Sequence, residues 1–210
     1  MNSIESTADV YNKIANEFDN SRHYKWPWIT EFINSINKNS SHKILDIGCG
    51  NGRNIIGYKT NNLIIEGIDN SIEFVKICKK KNLDVILADM TNIPKDNESF
   101  DYILSIASFH HLNILEARIS CLKEMHRILK QNGKILLSVW SKMQPKKTKR
   151  IFENYGDQLV SWKCKNGQLY DRYYYIFKIS EIKTLFEENG FKIINHKWDC
   201  GNEIFELQKI

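Results

Sequence analysis

The most definite chemistry in this chain lies between Leu45 and Gly52, in the run Leu-Asp-Ile-Gly-Cys-Gly-Asn-Gly. An apolar stretch leads into it, and Gly48, Gly50 and Gly52 alternate through it. The backbone there can turn sharply and let a ligand approach without meeting a Cβ. The spacing is G-x-G-x-G. A dinucleotide-binding turn would want a further glycine at 53, where this chain has Arg53, and a phosphate-cradling loop would want a lysine that is missing. Asp46 stands two residues before the first glycine. Asp69, followed by Asn70, lies about twenty residues beyond Gly48 at the end of a second apolar run, where a carboxylate can accept both hydroxyls of a ribose. Asp89 and Met90 close a third apolar run. Three acids at three successive strand ends, one of them beside a glycine turn, point to a nucleoside-bearing cofactor.

Those acids need strands to carry them. Strands are expected at 42–47, 63–68, 84–88, 102–106 and 134–139, alternating with helices at 71–80 and 114–129. Ser71 caps the first of these helices, and Gly133 reads as the glycine that ends the second. Val10, Ile14 and Phe18 mark a helix in the first twenty residues, and Pro27 opens another through Ile36. Near the end, a helix at 180–189 precedes segments 191–198 and 202–209, which are too close for a crossover and should pair as an antiparallel hairpin. Strand–helix alternation with short connections implies a doubly wound, parallel α/β sheet with helices on both faces. Between 141 and 177 the pattern weakens into a basic, aromatic insertion where such folds carry substrate-specific parts.

The glycine turn with Asp46, Asp69 and Asp89 resembles the cofactor motifs of the class I S-adenosylmethionine-dependent methyltransferases, over about 43–139. The flanks are more specific. Val10-Tyr11-Asn12-Lys13-Ile14-Ala15, Phe18, Ser21-Arg22, Trp26-Pro27, Thr30 and Phe32 are similar to the N-terminus of the eukaryotic tRNA wobble-uridine carboxymethyl methyltransferases, relatives of which are fused to AlkB-like hydroxylases. Ser105-Ile106-Ala107, His110-His111, Val160-Ser161-Trp162, Arg172-Tyr173-Tyr174, Gly201-Asn202 and Gln208-Lys209 extend the likeness over nearly the whole chain. Two positions depart from it, Tyr175 in place of His and Glu203 in place of Trp; both are expected in the substrate region.

The resemblance implies a Rossmann-like single domain over 1–210, with a mostly parallel seven-stranded sheet and an antiparallel C-terminal strand. Residues 1–40 would form a helical cap, 42–140 the cofactor core, 141–177 the substrate-side insertion and 178–210 the closing helix and hairpin. It implies S-adenosylmethionine as cofactor. Asp46 would take the methionine amino group and Gly48, Gly50 and Gly52 would make the turn. Asp69 and Asn70 would take the ribose, and Asp89 and Met90 the adenine. The implied reaction esterifies the carboxylate of 5-carboxymethyluridine in tRNA. A carboxylate is already ionised at neutral pH, so no strong general base is required.

Arg22 is the candidate for orienting a carboxylate, either the substrate's or the cofactor's. His110 and His111 are candidates for a local orienting role in catalysis. Tyr11 and Trp26 would wall the transfer site, and Arg172, Tyr173 and Tyr174 would wall the substrate. Lys142, Lys146, Lys147, Lys149 and Arg150 could meet tRNA phosphates or form a solvated loop. The family also implies a small zinc-binding activator subunit, covering an apolar strip near Ile103, Ile106 and Phe109. Two other readings share the central motifs: a ubiquinone- or sterol-type small-molecule methyltransferase, and a catalytically idle adenosylmethionine-binding subunit.

Composition narrows the classes further. The chain has 210 residues, 42% apolar and 26% charged, with 3 Pro and 10 Gly, which is ordinary globular composition without long flexible linkers. A net charge of +5 is compatible with a nucleic-acid substrate. The five cysteines are scattered with no C-x-x-C pair, which argues against a zinc site or a disulfide framework made by this chain. The opening Met-Asn-Ser-Ile-Glu-Ser-Thr is no secretory signal, and no run is long enough to span a bilayer, so the expectation is a soluble, cytoplasmic protein without membrane contact.

Overall fold

A computed structural model describes residues 5–37, 39–148 and 150–210. The start of the N-terminal segment and Lys149 therefore lie outside the described residues. Strand β1 (His42–Ile47) is flanked by β2 (Leu63–Asp69) and β4 (Phe100–Ile106), with β3 (Val85–Leu87) outside β2 and β5 (Leu129–Trp140) outside β4. These five are parallel. β9 (Asn202–Lys209) runs antiparallel between β5 and β8 (Phe191–Asp199), completing the order β3-β2-β1-β4-β5-β9-β8. Cys200 and Gly201, both at positive φ, form the two-residue turn that joins β8 to β9. The order of the strands reverses between β1 and β4, and the crevice beyond the carboxyl ends there is where open α/β sheets bind ligands.

The alternation of side chains along each strand feeds two cores. In β4, Ile103 packs on one face with Leu122, Met125 and Ile128 of α4 (Leu115–Ile128) and Leu185 and Phe186 of α5 (Ile179–Glu188). Its neighbour Leu104 packs on the other face with Ile29 and Ile33 of α2 (Pro27–Ser35) and Val75 of α3 (Ile72–Lys80). β9 does the same with Phe205 and Ile204. Each such fully buried side chain contributes about 1.5–3 kcal/mol relative to exposure. Ser71 caps α3 by accepting from Phe74 N at 3.3 Å, and Ser6 caps α1 (Thr7–Ser21) by accepting from Asp9 N at 3.2 Å.

Two expectations need correction, and the 141–177 insertion gains a structure of its own. Helix α4 ends at Ile128 and the chain enters β5 directly at Leu129. Gly133 is therefore no helix cap. It sits in a bulge where the register passes from Phe100–Leu129 to Tyr102–Lys134, and a Cβ there would lie 2.7 Å from the Leu129 side chain. The insertion folds as a separate hairpin of β6 (Gly156–Lys163) and β7 (Leu169–Ile176). Ile103, Ile106 and Phe109 are all core residues, because β4 is a central strand covered on both faces; none belongs to a surface strip. Among the described residues, no helix is long and apolar enough to cross a membrane.

Candidate active site

The turn after β1 is held open by backbone conformation. Gly48, Gly50 and Gly52 have φ of 68°, 55° and 75°, a region costly for residues with a Cβ. A Cβ on Gly48 would lie 2.4 Å from that of Ser108, whereas one on Gly50 would enter nearly open space in front of Phe18, where a ligand would lie. The cleft facing this turn is lined by Asp69, Asn70, Asp89 and Met90 from the ends of β2 and β3, and by Tyr11, Phe18 and Phe74 from α1 and α3.

Asp46 lies behind the turn, fully buried, with neither carboxylate oxygen hydrogen-bonded among the described residues. Burial first, and then the charge of Asp69, push its carboxyl up to about 7; Asn54 is close enough to oppose this only in part. An orphaned buried carboxylate is costly, and it fits an incoming ammonium such as the amino group of a bound methionine moiety. Asp69 accepts from Gly50 N at 2.7 Å and Ser71 N at 2.9 Å, and burial outweighs these bonds to bring it up to about 6. Asp89 accepts from both Thr91 N and its hydroxyl. The donor set thus fits an adenosylmethionine-shaped group, with acid for ammonium and ribose and glycine backbone for close approach.

A second cavity of about 340 Å³ adjoins the first. Tyr11, Phe18, Arg53 and Ala107 line both. Four guanidinium groups converge here, from Arg22 at the end of α1, Arg53 after the glycine turn, Arg150 after β5 and Arg172 on β7. Among the described residues, no aspartate or glutamate lines it. Arg172 is 6% exposed and its Nε has no hydrogen-bond partner. Burial first, and then Arg22, pull Arg53 below its ordinary value; burial also lowers Arg150, with Arg172 and Arg22 adding to it against Tyr174. The aromatic wall is a stack of Trp140 on Tyr174 with centroids 4.0 Å apart and planes 6° off parallel, and Arg150 lies 3.8 Å over Trp140. Trp26 lines the same cavity from the start of α2.

The two histidines are locked as neutral tautomers. The Tyr173 carbonyl can only accept, so His111 donates from Nδ1 at 2.7 Å and its bare Nε2 accepts from the Tyr11 hydroxyl at 3.0 Å. Tyr11 in turn accepts from Tyr174 at 3.4 Å. Trp140 N donates to His110 Nδ1 at 2.9 Å, which leaves the proton on an unpartnered Nε2. Burial brings His111 down to about 4 and, with His111 beside it, holds His110 well below the ordinary range.

His111 lines the cofactor cleft, whereas His110 lines neither cavity and supports Trp140 from behind. Strand alternation on β7 buries Arg172 and Tyr174 and turns Tyr173 away. The Tyr173 hydroxyl bonds Asp157, so only its carbonyl serves the site, and it does not wall the substrate cavity. Arg22 stands at the exposed rim, packed on Phe18 and Trp162. The two departures from the family pattern also lie elsewhere. Tyr175 bonds Glu181, and Glu203 bonds Ser141 and His196. Lys146 and Lys147 are exposed, and Lys142 lies over the Tyr155 ring. Sequence reasoning missed Arg53, Arg150 and Trp140 as cavity residues. Arg53 had left a trace as the residue that breaks a dinucleotide fingerprint.

Comparison with known proteins agrees with this geometry. A family model described as a methyltransferase domain matches residues 45–137. The tRNA (carboxymethyluridine(34)-5-O)-methyltransferase of Schizosaccharomyces pombe is 31% identical, over 94% of this chain and 93% of its own length. Mouse ALKBH8, which bears the same activity name, is 36% identical over 72% of this chain, which corresponds to 24% of that longer protein. Among solved structures, an S-adenosylmethionine-dependent methyltransferase from Methanosarcina mazei superposes with a TM-score of 0.70 at 18% identity, over 89% of this chain and 98% of that one. A putative methyltransferase complexed with the Trm112 activator from Haloferax volcanii reaches 0.67 at 16% identity, over 97% of both chains. With that extent of similarity to the S. pombe enzyme, the chain belongs to the tRNA carboxymethyluridine methyltransferase family of S-adenosylmethionine-dependent enzymes.

Proposed function

We propose that this protein esterifies the carboxylate of 5-carboxymethyluridine at the wobble position of tRNA. The observation that carries this reading is the acid-free, four-arginine cavity beside the cofactor cleft. A lipid-type acceptor calls for an apolar cavity, which this is not. Bound S-adenosylmethionine supplies an electrophilic methyl group on a sulfonium. Arg172, with its unpaired Nε, would hold the substrate carboxylate, and Arg53, shared by the two cavities, would pair with the cofactor's own carboxylate. Transfer of that methyl to a carboxylate oxygen held by Arg172 would release a neutral thioether and remove one positive and one negative charge together. No proton moves, which suits two histidines held neutral. The stack of Trp140 and Tyr174 offers a flat wall to a uracil ring and keeps water from the site. Alignment across the shared boundary at Tyr11 supplies on the order of several kcal/mol of barrier reduction.

The partner in this reading is a small zinc-binding activator of the Trm112 kind, added at the β3 edge of the sheet. Sheet edges invite strand pairing unless guarded. The β8 edge carries Lys192, Lys197 and a register shift between Ile193 and Asn195, whereas β3 presents Leu87, 53% exposed, without such devices. Nucleoside mass spectrometry of bulk tRNA, with and without the protein in cells, tests the function. The free acid should accumulate and its methyl ester vanish when the protein is absent; an unchanged ester level refutes the assignment.

A further inference from the structure

The arginine cavity holds more positive charge than one carboxylate accounts for. Arg172 is buried and Arg53 is shared with the cofactor cleft. Arg150 is tied by Nη1 to Gln144 Oε1 at 3.0 Å and stacked on Trp140. Arg22 is left over. It is exposed, and the one hydrogen bond its guanidinium makes among the described residues goes to the carbonyl of Ser21. The nearest acid in sequence, Asp19, is already taken by Lys81 at 2.5 Å and by Asn51 at 2.8 Å. Arg22 is nevertheless held in place. Asn51 of the glycine turn donates to its backbone carbonyl at 2.9 Å, and its guanidinium packs 5.7 Å from the Phe18 centroid and 5.5 Å from that of Trp162. A planar cation seated on two rings keeps its N–H groups directed along its own plane, toward whatever lies across the rim.

Like charges do not gather without a reason. A second anion at the mouth of the cavity would relieve the repulsion that Arg22 exerts on Arg53 and Arg150. A nucleotide within an RNA chain brings such an anion in its backbone phosphate. Building on the proposed RNA substrate, we infer that the cavity is a two-anion site: buried Arg172 takes the reacting carboxylate, and Arg22, seated on Trp162, takes a phosphate flanking the target nucleotide. The two sites differ in what the reaction does to them. Methylation neutralises the anion at Arg172 and leaves the one at Arg22 unchanged. Arg22 therefore binds acid and ester RNA alike, whereas Arg172 distinguishes them.

The test uses the full chain with its activator and anticodon stem-loop RNAs bearing the acid or its methyl ester, each with phosphodiester or single methylphosphonate linkages on either side of the target. Arg22→Ala should weaken binding of both acid and ester RNA about three- to tenfold, a modest loss because the group is exposed. It should also lower the logarithmic salt slope by about 0.7. With a neutral methylphosphonate at one flanking linkage, that loss should disappear. Arg22→Lys should retain most of the binding, since a point charge serves a phosphate. Arg172→Ala should weaken acid RNA about ten- to hundredfold and leave ester RNA unchanged. An Arg22→Ala loss that persists undiminished at both linkages, or is confined to acid RNA, overturns the two-anion site. Wild-type protein that binds these RNAs without methylating them defeats the functional reading alone; wild-type protein that binds none of them defeats both.

Discussion

The two adjoining cavities are built on opposite principles. The cofactor cleft is lined with acids at the ends of β2 and β3 and backed by the buried Asp46 at the end of β1, all within the parallel core. The substrate cavity is lined with arginines from the end of α1, the turn after β1, the loop after β5 and the β6–β7 hairpin. In the proposed reading one takes a cation and hydroxyls, the other anions, and the methyl passes between them beside Tyr11. On that reading the difference teaches that cofactor binding is a property of the sheet, whereas substrate choice is assembled from periphery that the sheet merely supports.

The sharpest way to break this contrast is to neutralise the buried guanidinium. Arg172→Ala should lower methyl transfer on the order of a hundredfold, as loss of one preorganised electrostatic contact commonly does. Calorimetry should find S-adenosylmethionine affinity unchanged; a joint loss would mean the two cavities are not separable. On the other side, Asp69→Ala should weaken the cofactor roughly ten- to hundredfold through a lost charge-assisted ribose contact. Unchanged affinity in the folded variant would contradict the cofactor placement.

The fold was readable where local rules and tertiary structure agree. Asp46, Asp69 and Asp89 end apolar runs punctuated by glycine or polar residues; Asp69 and Asp89 line one cleft, and Asp46 lies buried behind its glycine turn. Ser71 was legible as a cap for the same reason. Gly133 misled because a glycine after a helix looks the same whether it caps the helix or sits in a bulge; pairing with β4 decides, and that is not local. The β6–β7 hairpin was hidden because both faces of β6 carry apolar residues, Val160 and Trp162 inward and Leu159 at the surface, which blurs the period of two. Arg53, Arg150 and Arg172 are far apart in the chain, so their convergence could not be read before the hairpin and loop were placed.

A pH titration sharpens the comparison more gently. Asp46 is raised to about 7 and Asp69 to about 6, both mainly by burial. The folded chain therefore holds protons that the unfolded chain releases near pH 4. The stability these protons contribute to the cofactor-free protein is present below pH 4 and is lost as pH rises toward 7. Cofactor affinity runs the other way, because an ammonium needs ionised Asp46. It should climb by up to about tenfold per pH unit below 7 and then flatten, with proton release seen by calorimetry. Affinity independent of pH between 5.5 and 8, measured to about those limits, would exclude Asp46 as the ammonium's partner. The smallest expected effect belongs to Lys146 and Lys147. Replacing both with alanine should flatten the salt dependence of tRNA binding by about 0.7 for each lysine that meets a phosphate. No change would return that stretch to a solvated loop.

The central claim is that the arginine cavity selects an ionised carboxylate for methylation. Its most direct test is a competition assay with two anticodon stem-loop RNAs that differ at one group, a carboxymethyl or the neutral carbamoylmethyl on the wobble uridine. The RNA bearing the acid should gain a methyl ester, and the amide should inhibit it at least tenfold more weakly than the acid binds, with that preference abolished by Arg172→Ala. Equal binding of acid and amide by the wild-type protein, or a preference that survives Arg172→Ala, would contradict the account.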